Sequence, residues 1–157
     1  MMDAIEVLQN ALSKECRLEP GTPILVGFSG GADSLCLLHG LSRLGWKVGA
    51  AHFDHGMRDG SAQDAQKAGA LAGAMGIEFC SGRGDVPAYA SQHGLSLEEA
   101  ARTLRYPFLF DQARRCGAGV VAVAHTADDQ VETMLMHLLR GAGLSGLKGM
   151  TCRAILP

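Results

Sequence analysis

Apolar positions along the chain alternate between two periods, and that alternation predicts the fold class. Ile5, Leu8 and Leu12 recur at helical spacing, so residues 3 to 16 are expected to form an amphipathic helix, ended by Pro20, Gly21 and Pro23. A short apolar run, Ile24-Leu25-Val26, then stops at Gly27 and gives way to Leu35, Leu38 and Leu41, the pattern of a strand, a tight turn and a helix over 34 to 44. Gly45 closes that helix, and Lys47 to Phe53 reads as a second strand. Ser61 with Asp64 predicts a capping box for a helix over about 62 to 75, Ile77 to Cys80 a weak third strand, and 81 to 95 a loop with one short helical turn around Pro87 to Gln92. Ser96 with Glu99 is a second capping box, opening a helix with Leu97, Ala101, Leu104 and Phe108 on one stripe, which Pro107 should kink or interrupt. Gly117 and Gly119 close it; Val120 to Ala124 reads as a buried strand, and Thr126 with Asp129 as the cap of a helix to about Leu139, before the glycine-punctuated stretch from Gly141 to Gly149. Strand alternating with helix predicts an α/β fold on a parallel sheet.

Composition narrows the picture without redirecting it. The 157 residues suit one domain burying roughly two-thirds of its unfolded surface. With 47% hydrophobic and 19% charged residues the chain is ordinary for a globular protein, and its 21 glycines suit tight turns between strands and helices. A net charge of -2 lacks the basic footprint of a self-sufficient nucleic-acid binder. Five scattered cysteines form no Cys-x-x-Cys pair and read as reduced thiols. The sequence shows neither a signal peptide nor an apolar run of ~20 residues, so a cytoplasmic location and no membrane partner are expected. No cap or tail follows Ile155-Leu156-Pro157, which gives the expectation of a fragment of something longer.

The candidate chemistry begins in the loop after the first strand, Ser29-Gly30-Gly31-Ala32-Asp33-Ser34. A helix N-terminus presents unpaired N–H groups and the positive end of the macrodipole, and glycines let a phosphate approach the backbone. Ser29 and Ser34 add hydroxyl donors. Asp33 would repel such a ligand unless a cation lay between them, so it reads as a Mg2+ ligand. The loop lacks the Gly-Lys-Ser/Thr ending of a Walker loop and the spacing of the dinucleotide fingerprint.

Three further stretches belong with it. His52-Phe53-Asp54-His55-Gly56-Met57-Arg58 follows the second strand, where open parallel sheets bind ligands, and the backbone at His52 and Phe53 could hold an adenine. His125 to Glu132 is another strand end entering a helix; Asp129 points closer to His125 than Asp128 does, and Asp33 and Asp129 together could hold one magnesium against a triphosphate. On the helix opened by Ser96, Arg102 stands four residues after Glu98, as in a solvated ion pair, whereas Arg105 has no carboxylate partner at that spacing and suits phosphate or a charged transition state.

Ser29 to Ser34 resembles the pyrophosphate loop of the N-type ATP pyrophosphatases. With His52 to Arg58, Leu97-Glu98-Glu99-Ala100-Ala101-Arg102, Arg105-Tyr106, Ala124-His125, Asp128-Asp129-Gln130, Glu132-Thr133, Leu139 to Leu147 and Met150, the chain is similar to the catalytic domain of the tRNA(Ile)-lysidine synthetases from Ile24 to Met150. Thr126 departs from that family, which often shows a second histidine or other polar group there. The resemblance implies a three-layer α/β/α domain of the adenine nucleotide alpha hydrolase-like type, with a mainly parallel five-stranded sheet. It implies one PP-loop catalytic domain over 1–157, without the C-terminal tRNA-binding domains. The implied activity is ligation of L-lysine to C2 of the wobble cytidine of tRNA(Ile) with the CAU anticodon, through an adenylated cytidine, releasing AMP and pyrophosphate. Ser29, Gly30, Gly31, Ala32, Asp33 and Ser34 would hold ATP, Asp33 and Asp129 the Mg2+, and Arg105 and His125 the reacting centre; a homodimer is open by the same likeness. A tRNA 2-thiolation enzyme of the same class and a non-catalytic adenine-nucleotide sensor are the rival readings.

Overall fold

The computed structural model describes residues 3–58, 60–126, 128, 129 and 131. The chain divides into two compact units, Pro20–Val123 and Met1–Glu19 with Ala124–Pro157. In the second of these, helix α1 (Ala4–Asn10) starts on a capping box of Asp3 and Glu6 and runs on as a π-helical turn, Ala11–Glu15, in which Leu12 is buried.

Pro20–Val123 is built on a parallel sheet of β1 (Ile24–Gly27), β2 (Val48–Asp54), β3 (Glu78–Arg83) and β4 (Val120–Val123), in the order β3-β2-β1-β4. Four strands therefore stand among the described residues, where the resemblance implied five. Helices α2 (Ala32–Arg43) and α3 (Ser61–Ala74) connect β1 to β2 and β2 to β3, stepping the same way across the sheet, so right-handed crossovers place both on one face. On that face a Cβ at Gly69 of α3 would meet the Phe79 ring at 3.0 Å. Helix α5 (Leu97–Arg115) covers the opposite face, where Leu109 and Ala113 pack with Leu25 and Ala51, joined by Cys80, Val121 and Val123. Glycines let α5 come close: a Cβ at Gly82 would run into the Phe108 ring. Helix α4 (Val86–His93) packs on α5 through Val86, Ala90 and Ala100.

Several elements differ from the sequence expectation. β3 reaches Arg83, and α4 replaces most of the expected loop, with Asp85 as N-cap accepting from Ala88 N–H at 2.9 Å and Pro87 in its first turn. Pro107 does not interrupt α5, and Leu97, expected in the stripe, is 53% exposed. β4 is half-buried along its length rather than buried. The Ser96–Glu99 capping box is present, but Ser61 and Asp64 form none: Gly60, at φ +92°, is the N-cap of α3. The expected helix end near Leu139 and the glycine-rich stretch from Gly141 lie outside the described residues.

Candidate functional site

The loop 28–31 leaves β1 at the carboxyl rim of the sheet, beside the β1/β4 pair where the strand order reverses. Ligands of open α/β sheets bind at such a point. Phe28, 1% exposed, anchors the loop from below, and its carbonyl accepts a hydrogen bond from His52 Nδ1–H at 2.9 Å. The His52 side chain is thus a buried brace, and any contact with an adenine falls to the backbone. Gly30 takes φ +83°, a conformation that side chains rarely adopt.

Both serine hydroxyls are turned into the loop. Ser34 Oγ donates to the Gly31 carbonyl at 3.0 Å, which leaves Ser29 Oγ to donate to Ser34 Oγ at 3.0 Å while it accepts from Gly31 N–H at 3.2 Å. These bonds brace the cradle. Gly31 is the N-cap of α2 and gives the first-turn N–H groups of Ala32, Asp33 and Ser34 no side-chain cap, the arrangement at which helix N-termini can take up anions. Asp33 stands exposed in that turn.

Beside the loop, Asp54 ties three elements together. Its Oδ1 accepts from Gly56 N–H at 2.9 Å, its Oδ2 from Ser61 Oγ at 3.0 Å, and Arg83 Nε lies 3.5 Å from the same oxygen. Burial pushes its carboxyl up, but the Gly56 N–H, the Ser61 hydroxyl, Arg83 and His52 outweigh it and hold the group below the ordinary carboxylate value. Since the folded-state value is the lower one, this group's stabilisation is full above the ordinary value and is lost as pH falls through the folded value, below about pH 4. Asp54→Asn is expected to cost about 1–3 kcal/mol at neutral pH and to flatten the acid limb of stability, measured by urea unfolding from pH 7 to 2.5. An unchanged acid limb would remove Asp54 from this role.

Past the strand ends, Gly56, at φ +64°, passes so close to the chain after β3 that a Cβ would lie 2.8 Å from the Gly84 carbonyl oxygen. Gly84 N–H and Val86 N–H donate to the Asp54 and His55 carbonyls at 2.9 and 3.1 Å. Phe53 turns to the α5 face, its ring 5.2 Å from that of His55 and 5.4 Å from that of Phe108. On α5, Arg102 makes no ion pair with Glu98; its guanidinium lies 5.1 Å from the Tyr106 ring centre, and that of Arg105 lies 5.2 Å from it. The Arg105 Nε is buried without a hydrogen-bond partner among the described residues, as is His55 Nδ1.

In the other unit, Thr126 caps as expected. Asp129 Oδ2 accepts from Thr126 N–H and Oγ1 at 2.6 and 3.0 Å, and His125 Nδ1 stands 3.9 Å away. The Thr126 backbone and hydroxyl, with His125, draw the Asp129 carboxyl below its ordinary value. Asp129 thus gives one oxygen to the cap and keeps Oδ1 for other work. Among the described residues no group of three or more His, Cys, Asp or Glu is arranged to hold a metal ion. No described helix is long and apolar enough to cross a membrane.

Residues 3–156 match the family model described as PP-loop domain. The chain belongs to the PP-loop domain family. Among curated relatives, this PP-loop chain is 43% identical over 150 residues to the tRNA(Ile)-lysidine synthase of Dehalococcoides mccartyi, spanning 92% of this chain and 32% of that protein. It is 45% identical over 138 residues to the enzyme of the same name from Deinococcus deserti, spanning 87% of this chain and 26% of that protein. The PP-loop chain therefore spans about a third of the length of the relatives it matches. Among solved structures, the U34-tRNA thiolase NcsA from Methanococcus maripaludis, with its [4Fe-4S] cluster, matches over 90% of this chain and 52% of its own at TM-score 0.71 and 17% identity. The NMN synthetase from Francisella tularensis matches over 92% and 72% at TM-score 0.58 and 19% identity. At those identities the likeness is one of fold, and it supports the α/β architecture.

Two features of the rim were missed in the sequence. No local pattern signals the pairing of Asp54 with Ser61, and His55 stands out from its heptapeptide by no spacing of its own. The strand alternation that puts Asp54 on the same face as His52 was the available signal.

Proposed function

We propose that residues 1–157 form the ATP-using catalytic domain of a longer cytoplasmic tRNA(Ile)-lysidine synthase. The whole protein would attach L-lysine to the wobble cytidine of tRNA(Ile), with AMP and pyrophosphate as products. The observation that carries this reading is the likeness, at 37–45% identity over 87–98% of the chain, to relatives of that one name from different bacteria.

The geometry suits the chemistry. An adenylyl transfer asks for positioning and charge neutralisation more than for covalent help. The N–H groups of Ala32 to Ser34, at the mouth of α2, would bind the outer phosphates, and the Ser29–Ser34 bond would hold the cradle in shape. Exposed Asp33 fits a magnesium that keeps most of its ligands as water and phosphate, and Asp129 is carried as a candidate ligand by the family resemblance. Bound there, the ion would neutralise charge on the triphosphate. Arg105 would face the charge that develops on the attacked phosphate, and His125 is retained as a candidate at the reacting centre.

The test is mass spectrometry of tRNA from cells carrying or lacking the intact gene, with AMP and pyrophosphate followed in the purified full-length protein. A lysine adduct on cytidine that depends on the gene is the expected result. Sulfur on the wobble base would instead favour the thiolation reading that the fold likeness to NcsA brings in, and ADP with orthophosphate would defeat both.

A further inference from the structure

Among the described residues, two buried side-chain polar atoms lack a hydrogen-bond partner, His55 Nδ1, just beyond β2, and Arg105 Nε, on α5. Helix α5 packs Ala113 and Leu109 with Leu25 and Ala51, then Phe108 against Gly82, and finally Leu104 against the chain beyond β3, 3.3 Å from a Cβ built at Gly84. The helix thus climbs past the strand ends as it is followed toward its N-terminus. Arg105, next to Leu104, lies at the rim one turn beyond Leu109, whose Cδ1 is 3.3 Å from a Cβ built at Gly27, where the phosphate loop springs from β1. His55 is the first residue beyond β2. Its ring is fixed from one side by Phe53, at 5.2 Å and 76°, and its carbonyl is held by Val86 N–H.

Burying a donor without a partner costs about 1–3 kcal/mol, so two such groups at the strand ends mark a place where a ligand restores what folding removed. Arg105 Nε–H can only donate, and a neutral imidazole can present Nδ1–H. An acceptor oxygen within reach of both atoms would satisfy the pair, and a negative one suits a guanidinium. We propose that His55 and Arg105 form a two-point receptor for an anionic substrate oxygen, a carboxylate or a phosphoryl oxygen, with His55 as a binding residue beyond those named above. Burial, Arg105 and His52 hold the His55 imidazole below its ordinary value, against the pull of Asp54, so the site receives the anion with a neutral histidine and one fixed cation. The choice of ligands to test rests on the lysidine synthase reading: L-lysine offers the carboxylate and ATP the phosphoryl oxygen.

The experiment is histidine-ring NMR on the full-length protein labelled with 13C-histidine, the His55 signal being assigned by its loss in His55→Asn. Saturating L-lysine or α,β-methylene-ATP is expected to raise the pH midpoint of His55, because a bound anion favours imidazolium. Whichever ligand does so names the oxygen. Arg105→Gln should abolish the rise. His55→Ala should weaken that ligand about tenfold, whereas His55→Asn, whose amide nitrogen falls near the position of Nδ1, should recover most of the affinity; the remaining histidine signals report that each variant is folded. A midpoint that neither ligand moves, or that moves equally in Arg105→Gln, overturns the receptor. Should the wild-type protein make lysidine while His55 stays silent, this inference alone falls. Should His55 respond to the nucleotide analogue in a protein that adds no lysine to tRNA, the receptor stands and the lysidine reading falls.

Discussion

On the proposed function, Asp33→Asn in the full-length protein is expected to lower magnesium-dependent release of pyrophosphate, at saturating tRNA and L-lysine, by about a hundredfold or more. The carboxylate stands exposed in the first turn of α2, one residue beyond the Gly31–Ala32 junction, and its negative charge is tolerable beside a triphosphate only with a cation between them. The same charge lies at the positive end of the helix, so its removal should cost folding less than about 1 kcal/mol. A loss of turnover with thermal unfolding nearly unchanged therefore separates a metal-binding role from a capping one. If turnover survives and its magnesium dependence is unaltered, Asp33 is only a first-turn acid, and the assignment of the cradle to the triphosphate loses its main support.

The second large effect falls on stability. Leu109 is 1% exposed and packs between α5 and the sheet with Leu25, Ala51 and Ala113, directly under Gly27. Leu109→Ala would leave a cavity that the rigid strands cannot fill, and the expected cost is about 2–5 kcal/mol. In a chain of this size each kcal/mol lowers Tm by about 2–4 °C, which differential scanning calorimetry would resolve. Because Gly27 is the last residue of β1 before the loop, nucleotide affinity should weaken along with Tm. A variant with an unaltered Tm would mean that α5 is not seated on the sheet as described.

Much of this was legible in the sequence, and the exceptions share a cause. The strand–loop–helix from Ile24 to Arg43 could be read because local features agree there: an apolar triad, glycines where the backbone turns, and helical spacing afterwards. The same Ser-x-x-acid pattern gave a true capping box at Ser96 and a false one at Ser61. The difference is tertiary, since the buried Asp54 claims the Ser61 hydroxyl while Asp64 turns to Arg58. β3 reads poorly beyond Cys80 because Ser81 and Gly82 have little strand propensity, yet Gly82 is required where Phe108 lies against the sheet. Arg102 shows the opposite failure, a helical spacing that promised an ion pair and yielded an aromatic contact. The unpartnered atoms of His55 and Arg105 belong to no local pattern, because only the packing of α5 brings their two elements to one rim.

The place of β1 in the strand order bears on how the protein is made. β1 pairs on one side with β2, which follows it closely along the chain, but on the other with β4, the last strand of the described sheet to leave the ribosome. Until Val120–Val123 emerge, Ile24, Leu25 and Val26 offer an open apolar edge to any neighbouring nascent chain, the condition under which sheets recruit the wrong partner. The strand that presents the phosphate cradle is thus left waiting during synthesis, and slow translation between β1 and β4 would lengthen its exposure.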